Sequence, residues 1–283
     1  MSDDTRAEAI RKMNKFRVKI GFPDSWIDYT SLNLTEGCHF ENVVATRRFN
    51  YLLEISRINA PTDRERWFMT PQTVNAYYHP SLNEIVFPAA ILQAPFFDPE
   101  ADEAVNFGSL GAVVGHEMTH GFDDQGRKYD SQGNMRDWWN SKDGTEYESR
   151  VNVMIKQAEK FEVHGKKLNG KLTCGENIAD LGGVKLSLRA LKTLLAENEA
   201  KGVTAPLLNG FTPIQRFFLA WSQAWRENVK KERALQLVTL DPHGPNEMRC
   251  NGTLSNIQEF CEAFNITEGC PMFVEEDERV DIW

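Results

Sequence analysis

The chain has 283 residues, enough to bury a substantial core as one or two domains. Apolar residues make up 41% and charged residues 26%, the balance of an ordinary globular protein, and the net charge of −9 without a basic stripe argues against nucleic acid as a partner. No apolar run approaches the ~18 residues that a membrane span needs, and the polar, charged start, residues 1–11, shows no signal peptide.

Asp4 or Thr5 is positioned to cap a first helix running to about Phe16, with Ala9, Ile10, Met13 and Phe16 as its apolar stripe. Phe22-Pro23-Asp24 breaks it, and residues 26–32 read as a loop or short strand. A second helix is expected over residues 40–58, with Val43, Val44, Phe49, Leu52, Leu53 and Ile55 buried. Residues 74–80 and 84–88 read as two strands around a turn, followed by an apolar segment at 89–97. Residues 106–122 form the next helix. Its Gly108, Gly111 and Gly115 each weaken it by about 1 kcal/mol against Ala, which suggests close approach by another backbone or by substrate. Loops or a hairpin at 123–139 lead into a polar helix at 141–163. A helix after Leu172 buries Ile178, Leu181, Val184, Leu188, Leu191 and Leu195. Phe217, Phe218, Trp221 and Trp225 lie on a helix to about Glu232, residues 241–245 are irregular, residues 254–264 form a last helix, and an acidic tail follows.

The helix at 106–122 carries His116-Glu117-Met118-Thr119-His120, an H-E-x-x-H pattern. Residues four apart share a helix face, so the two imidazoles can aim at one point, as a zinc ion requires. Glu117 is carried beside the metal, where it can take a proton from a bound water. The pattern is short and recurs by chance. Its flanks, Leu110, Val113, Val114 and Phe122, are apolar, and buried polar groups need partners that a metal would supply.

A catalytic zinc usually has three protein ligands and one open position. His39, His79 and His164 have no supporting context. Glu176 is the better third ligand, with Asp180 four residues on to hold a ligand imidazole by its other nitrogen. Asp123 is expected to do the same for His116. Taken alone, the Glu-x-x-x-Asp pair reads more readily as a solvated helix start, where acids favour the dipole. The five cysteines are dispersed, form no C-x-x-C pair, and so are not a cysteine zinc framework.

Five stretches occur together in one order: Val74-Asn75-Ala76-Tyr77-Tyr78, Phe87-Pro88-Ala89, His116 to Asp124, Gly175 to Gly183, and Asp241-x-His243-x-Pro245-x-x-x-Arg249. In these the chain resembles the C-terminal catalytic part of the neprilysin-like zinc metallopeptidases of the M13 family, which includes endothelin-converting enzymes and bacterial PepO-type oligopeptidases. The resemblance implies an α+β, mainly helical zincin domain of the gluzincin, thermolysin-like kind, with a small mixed sheet whose edge strand lies beside the metal helix. It implies one catalytic zinc ion on His116, His120 and Glu176, Glu117 as general base, and Asp123 and Asp180 orienting the imidazoles. Asn75 and the backbone of Ala76 would hold an extended peptide. His243 would stabilise the oxyanion, and Arg249 would hold a substrate carbonyl. Ile91, Phe96, Val113 and Trp225 match the pocket for the residue after the cleaved bond, so small peptides would be cut before hydrophobic residues.

Family members are longer, with an N-terminal helical lobe over the site. Residues 1–60 are therefore expected to be a helical remnant of that lobe or a connection to it, and residues 61–283 the catalytic domain, with the lobe of the same polypeptide as partner. A second reading is a zinc-binding module that lacks the lobe needed to close on substrate. Family precedent suggests an extracytoplasmic location, with a cytosolic one open for bacterial members. The family commonly ends in Cys-x-x-Trp, whereas this chain ends Asp281-Ile282-Trp283, so the corresponding disulfide is not carried over. Cys174 stands where the family has an aliphatic residue, as a buried structural thiol or a weak extra metal contact.

Overall fold

The structure, a computed structural model, describes residues 1–282; Trp283, the last residue of the ending compared with the family's, lies outside them. Two compact units emerge: Met1–Gly21 together with Pro71 onward, and Phe22–Thr70. The division expected at residue 60 is therefore not the one that compactness gives.

The first unit begins with helix α1, Asp3–Asn14, capped by the Ser2 side chain rather than by Asp4 or Thr5. Its apolar stripe does not face inward. Ile10 and Met13 are exposed, and the fully buried residues are Thr5 and Lys12. Strand β1, Arg17–Gly21, follows directly and was not legible as a strand. Its alternation is inverted: Val18 and Ile20 face outward, while Lys19 is buried in an ion pair with Glu84, 2.8 Å away. Buried charges need such mutual compensation.

Strands β2, Tyr77–His79, and β3, Glu84–Pro88, form the expected turn-linked pair. β3 is the central strand, antiparallel to β2 and parallel to β1, which makes a small mixed sheet with β2 at one edge. All five residues of β3 are buried. Ala76, Ile85, Phe87 and Ile91 pack with Phe96, Leu110, Val113, Val114 and Met118, which joins the sheet to the helix that carries the H-E-x-x-H pattern.

That helix is composite. It runs as α3, Glu103–Asn106, then a π-helical turn, Phe107–Gly111, then α4, Ala112–His120. π-Turns leave main-chain groups to be satisfied from outside; here the Ser187 hydroxyl donates to the Phe107 carbonyl at 2.6 Å. The polar helix α5, Ser141–Ala158, ends five residues before the expected position, because a short hairpin of β4, Glu162–Val163, and β5, Lys166–Lys167, turns through His164 and Gly165 at positive φ. Helix α6, Cys174–Ala200, buries Ile178, Leu181, Val184, Leu188 and Leu191 as expected.

Helix α7, Pro213–Ala224, opens with a capping box between Thr212 and Gln215. It stops eight residues short of the expectation, and after non-helical residues 225–230 a separate helix α8, Lys231–Leu240, follows. Helix α9, Gln258–Phe264, follows a second π-turn at Met248–Gly252. The main core gathers Phe217, Phe218 and Trp221 of α7 against α6, Leu254, Ile257 and Phe260. Each such side chain contributes about 1.5–3 kcal/mol on burial.

The second unit holds helix α2, His39–Ser56. None of its residues is buried, and Val44, Leu52 and Ile55 are exposed, so the expected buried stripe is corrected. The stripe has the helical period but no element of its own unit to cover it. Within the unit Tyr29 and Phe49 pack ring to ring at 5.3 Å.

Candidate metal centre

The site is built where α4 crosses α6. Gly115 and Gly183 meet at the crossing. A Cβ on Gly115 would lie 2.7 Å from the Gly183 carbonyl oxygen, and one on Gly183 would lie 2.6 Å from the His116 nitrogen. Of the two readings of the helix glycines, the approach of another backbone is what Gly115 serves. This contact lets the first turn of α6, which carries Glu176 and Asp180, reach the imidazoles of α4.

His116, His120 and Glu176 are brought together, each with a ligand atom within 4.8 Å of the others. The two Nε2 atoms lie 2.9 Å apart, His116 Nε2 is 3.3 Å from Glu176 Oε2, and His120 Nε2 is 3.6 Å from Glu176 Oε1. Four ligands placed tetrahedrally at zinc's usual distances stand about 3.3–3.5 Å from one another. The observed spacings bracket that value.

The chemistry of the donors points the same way. His116 Nδ1 lies 2.9 Å from Asp180 Oδ1, and His120 Nδ1 lies 2.7 Å from Asp123 Oδ2. A carboxylate only accepts, so each Nδ1 carries the proton and each Nε2 turns its other face toward Glu176. The Glu176 Oε2 atom is buried without a hydrogen bond. Two imidazole nitrogens and an orphaned carboxylate oxygen facing one point fit a divalent cation. The expected partner of Asp123 is corrected: it holds His120, three residues before it, while Asp180 holds His116.

Burial opposes charge throughout the site, and the neighbours decide the outcome. Against burial, Asp180 and Glu176 push His116 up to about 10. Burial would raise Glu176, yet His116, His120 and Arg249 hold it well below the usual carboxylate range. Burial pushes Glu117 up, with His116 and His120 pulling the other way. The Cys174 thiol is pushed up to about 12 by burial and by Asp124 and Asp123, so it stays a neutral buried thiol and lies outside the ligand cluster. All five cysteines are free.

The remaining expected residues fall on three sides. His243 is half exposed, with Nε2 3.3 Å from Glu176 Oε2 and Nδ1 2.7 Å from Asp241 Oδ1. Asp241 also accepts from the His243 backbone at 2.9 Å. It orients His243, a task that the sequence reading did not give it although it stood in the quoted motif. Arg249 is buried, doubly bonded to Asp180 at 2.8 and 2.7 Å, and stacked 3.9 Å over Trp225. Trp225 sits at the C-terminal end of α7, where the helix stops. Asn75 is exposed just before the edge strand β2, and its side-chain oxygen accepts from the Ala76 N–H at 2.9 Å. Ile91, Phe96 and Val113 share one apolar cluster, whereas Trp225 packs with the main core.

A family model described as peptidase family M13 matches residues 75–280. The chain is 41% identical to neprilysin-3 of Drosophila melanogaster, over 99% of this chain and 36% of that protein. It is 40% identical to endothelin-converting enzyme 1 of Rattus norvegicus, over 96% of this chain and 36% of that protein. The crystal structure of the Mycobacterium tuberculosis zinc metalloprotease ZMP1 in complex with an inhibitor superposes with a TM-score of 0.96 at 45% identity, covering all of this chain and 43% of that one. PepO from Lactobacillus rhamnosis superposes at 0.86 with 30% identity, covering all of this chain and 43% of that one. The chain thus spans between about a third and less than half of the length of the relatives it matches. Among the described residues no helix is long and apolar enough to cross a membrane.

Proposed function

The chain belongs to peptidase family M13, and from that premise we propose that it hydrolyses small peptides with one zinc ion held by His116, His120 and Glu176. The observation that carries the reading is the convergence of those three ligand atoms, with both imidazoles anchored from behind by Asp180 and Asp123. When bound there, zinc acidifies a water and polarises the scissile carbonyl.

The protein's own groups do the rest. Glu117, one residue after His116 on α4, accepts the proton of the attacking water and passes it to the leaving amine. Burial raises its pKa, with His116 and His120 pulling the other way, and a raised pKa suits a group that must both take and give a proton. With Nδ1 donating to Asp241, which fixes the ring, His243 turns Nε2 toward the developing oxyanion and donates to it in the imidazolium form. A positioned donor of this kind is worth about 3–4 kcal/mol. Arg249 has Nε and Nη2 committed to Asp180, which leaves Nη1 for a substrate carbonyl. Asn75 and the Ala76 backbone, at the mouth of edge strand β2, align an extended peptide as an added strand. The Ala76 N–H is already taken by Asn75, so its carbonyl and the Asn75 amide serve the peptide. Ile91, Phe96, Val113 and Trp225 favour a hydrophobic residue after the cleaved bond.

The test is Glu117→Gln. It is expected to keep stoichiometric zinc and lose roughly 10²–10⁴-fold in peptide hydrolysis. Wild-type turnover by this variant would remove Glu117 from the mechanism.

A further inference from the structure

Helix α4 ends at His120, a proposed zinc ligand, and the residues just past it close its end: the Gly121 and Phe122 N–H groups donate to the Met118 and Thr119 carbonyls at 3.2 and 2.8 Å. The segment after it turns back at once. A Cβ on Gly126 would lie 1.8 Å from the His120 carbonyl oxygen, so only glycine permits this path. Asp123, which holds His120 Nδ1, is part of the turn and accepts from the Gln125 and Gly126 N–H groups at 2.9 and 2.6 Å.

The ammonium of Lys12 sits at the centre of this turn. It donates to the carbonyls of Gly121, Gly126 and Tyr129 at 2.6, 2.7 and 2.7 Å. An ammonium has three protons, and all three are used. Lys12 is 1% exposed, and its Nζ lies 5.5 Å from the Phe122 ring centroid and 5.8 Å from that of Tyr78. Its own carbonyl accepts from Asn83, which also donates to Ser131. A cation at the C-terminal end of a helix is favoured by the macrodipole. Burying a lysine is costly unless its charge is met. A side chain held this way in α1, more than a hundred residues from the loop in sequence, does more than fill space.

We propose that Lys12 is a positioning residue of the metal centre: a cation that meets the Gly121 carbonyl just past the end of α4, closes the 121–129 turn, and through Asp123 fixes the His120 imidazole. The inference rests on the zinc reading of the site. Its chemistry is specific to an ammonium. The three carbonyls converge on one point, which a compact tetrahedral donor meets and a planar guanidinium does not.

The test compares Lys12→Met, Lys12→Gln and a control, Lys19→Met, which breaks the other buried lysine pair of the same segment without touching the turn. Zinc affinity is read by competition with a chelator, the cobalt-substituted proteins by their visible absorption, and the metal-free proteins by amide exchange over residues 122–129. Lys12→Met is expected to weaken zinc about 10–100-fold, the usual cost of losing outer support of a ligand. It is also expected to change the cobalt spectrum and to speed exchange in the turn. Lys12→Gln keeps two N–H donors without the charge, is gentler on folding, and falls between. Lys19→Met lowers the melting temperature and leaves zinc affinity and the cobalt spectrum unchanged. Lys12 variants that bind zinc as the wild type does, with its cobalt spectrum, overturn the inference alone. A wild type that takes up no zinc overturns the metal reading, and this inference with it.

Discussion

Glu117 and His116 are neighbours in sequence, and the site gives them opposite tasks. In the metal-free protein His116 is pushed from 6.5 up to about 10, because Asp180 and Glu176 outweigh the effect of burial. Between those values the native state holds a proton that the unfolded chain has released. This part of the stability is therefore complete below about pH 6.5 and is lost as pH rises through about 10. Zinc competes for the same nitrogen and must displace the proton. The melting temperature of the metal-free protein is thus expected to fall from pH 7 to 10, while zinc affinity rises over the same span. A zinc affinity that is flat over this span would mean that His116 holds no proton there for zinc to displace. The spacing of His116 and His120 was legible because four residues on a helix is a local relation. Glu176 and Asp180 shared a face for the same reason. The partner of Asp123 was misjudged because a choice between two imidazoles depends on how the chain turns after His120. Nothing in the α1 sequence marked Lys12, since a buried lysine is indistinguishable from a surface one until its acceptors are placed.

At the scale of elements, the crossing of α4 and α6 decides the geometry. Its closeness depends on Gly115 and Gly183, where a side chain on either would meet the other helix's backbone. Gly183→Val is expected to destabilise by roughly 3 kcal/mol through overpacking. Zinc affinity should fall with it, because Glu176 and Asp180 move with α6. Urea unfolding and chelator competition on the same protein check both; a stability loss with unchanged zinc affinity would mean that the crossing does not set the ligand geometry. The glycines signalled a close approach in the sequence, but not which element approached. β1 escaped detection because its apolar residues face outward and its buried residue is Lys19. The break after α7 was hidden as well. Trp221 and Trp225 keep helical spacing up to the stop, and only then does Trp225 lie under Arg249.

For the whole molecule, the first 21 residues group with residues 71 onward and not with the α2 segment. Residues 1–60 had read as one segment because the resemblance set them against the family's N-terminal lobe, although Phe22-Pro23-Asp24 already marked a break within them. Long-range contacts divide them: α1 through Lys12, β1 through its pairing with β3. The mixed sheet with its edge strand beside the metal helix was legible from the motif order, because that order carries the fold of the family. The central claim, a single zinc on His116, His120 and Glu176 that drives peptide hydrolysis, is tested most directly with a short internally quenched peptide carrying a hydrophobic residue after the bond to be cut. Hydrolysis is measured before chelation, after it, and after zinc is added back. Loss of hydrolysis on chelation and recovery at one zinc per chain is the predicted result; turnover untouched by the chelator would contradict it.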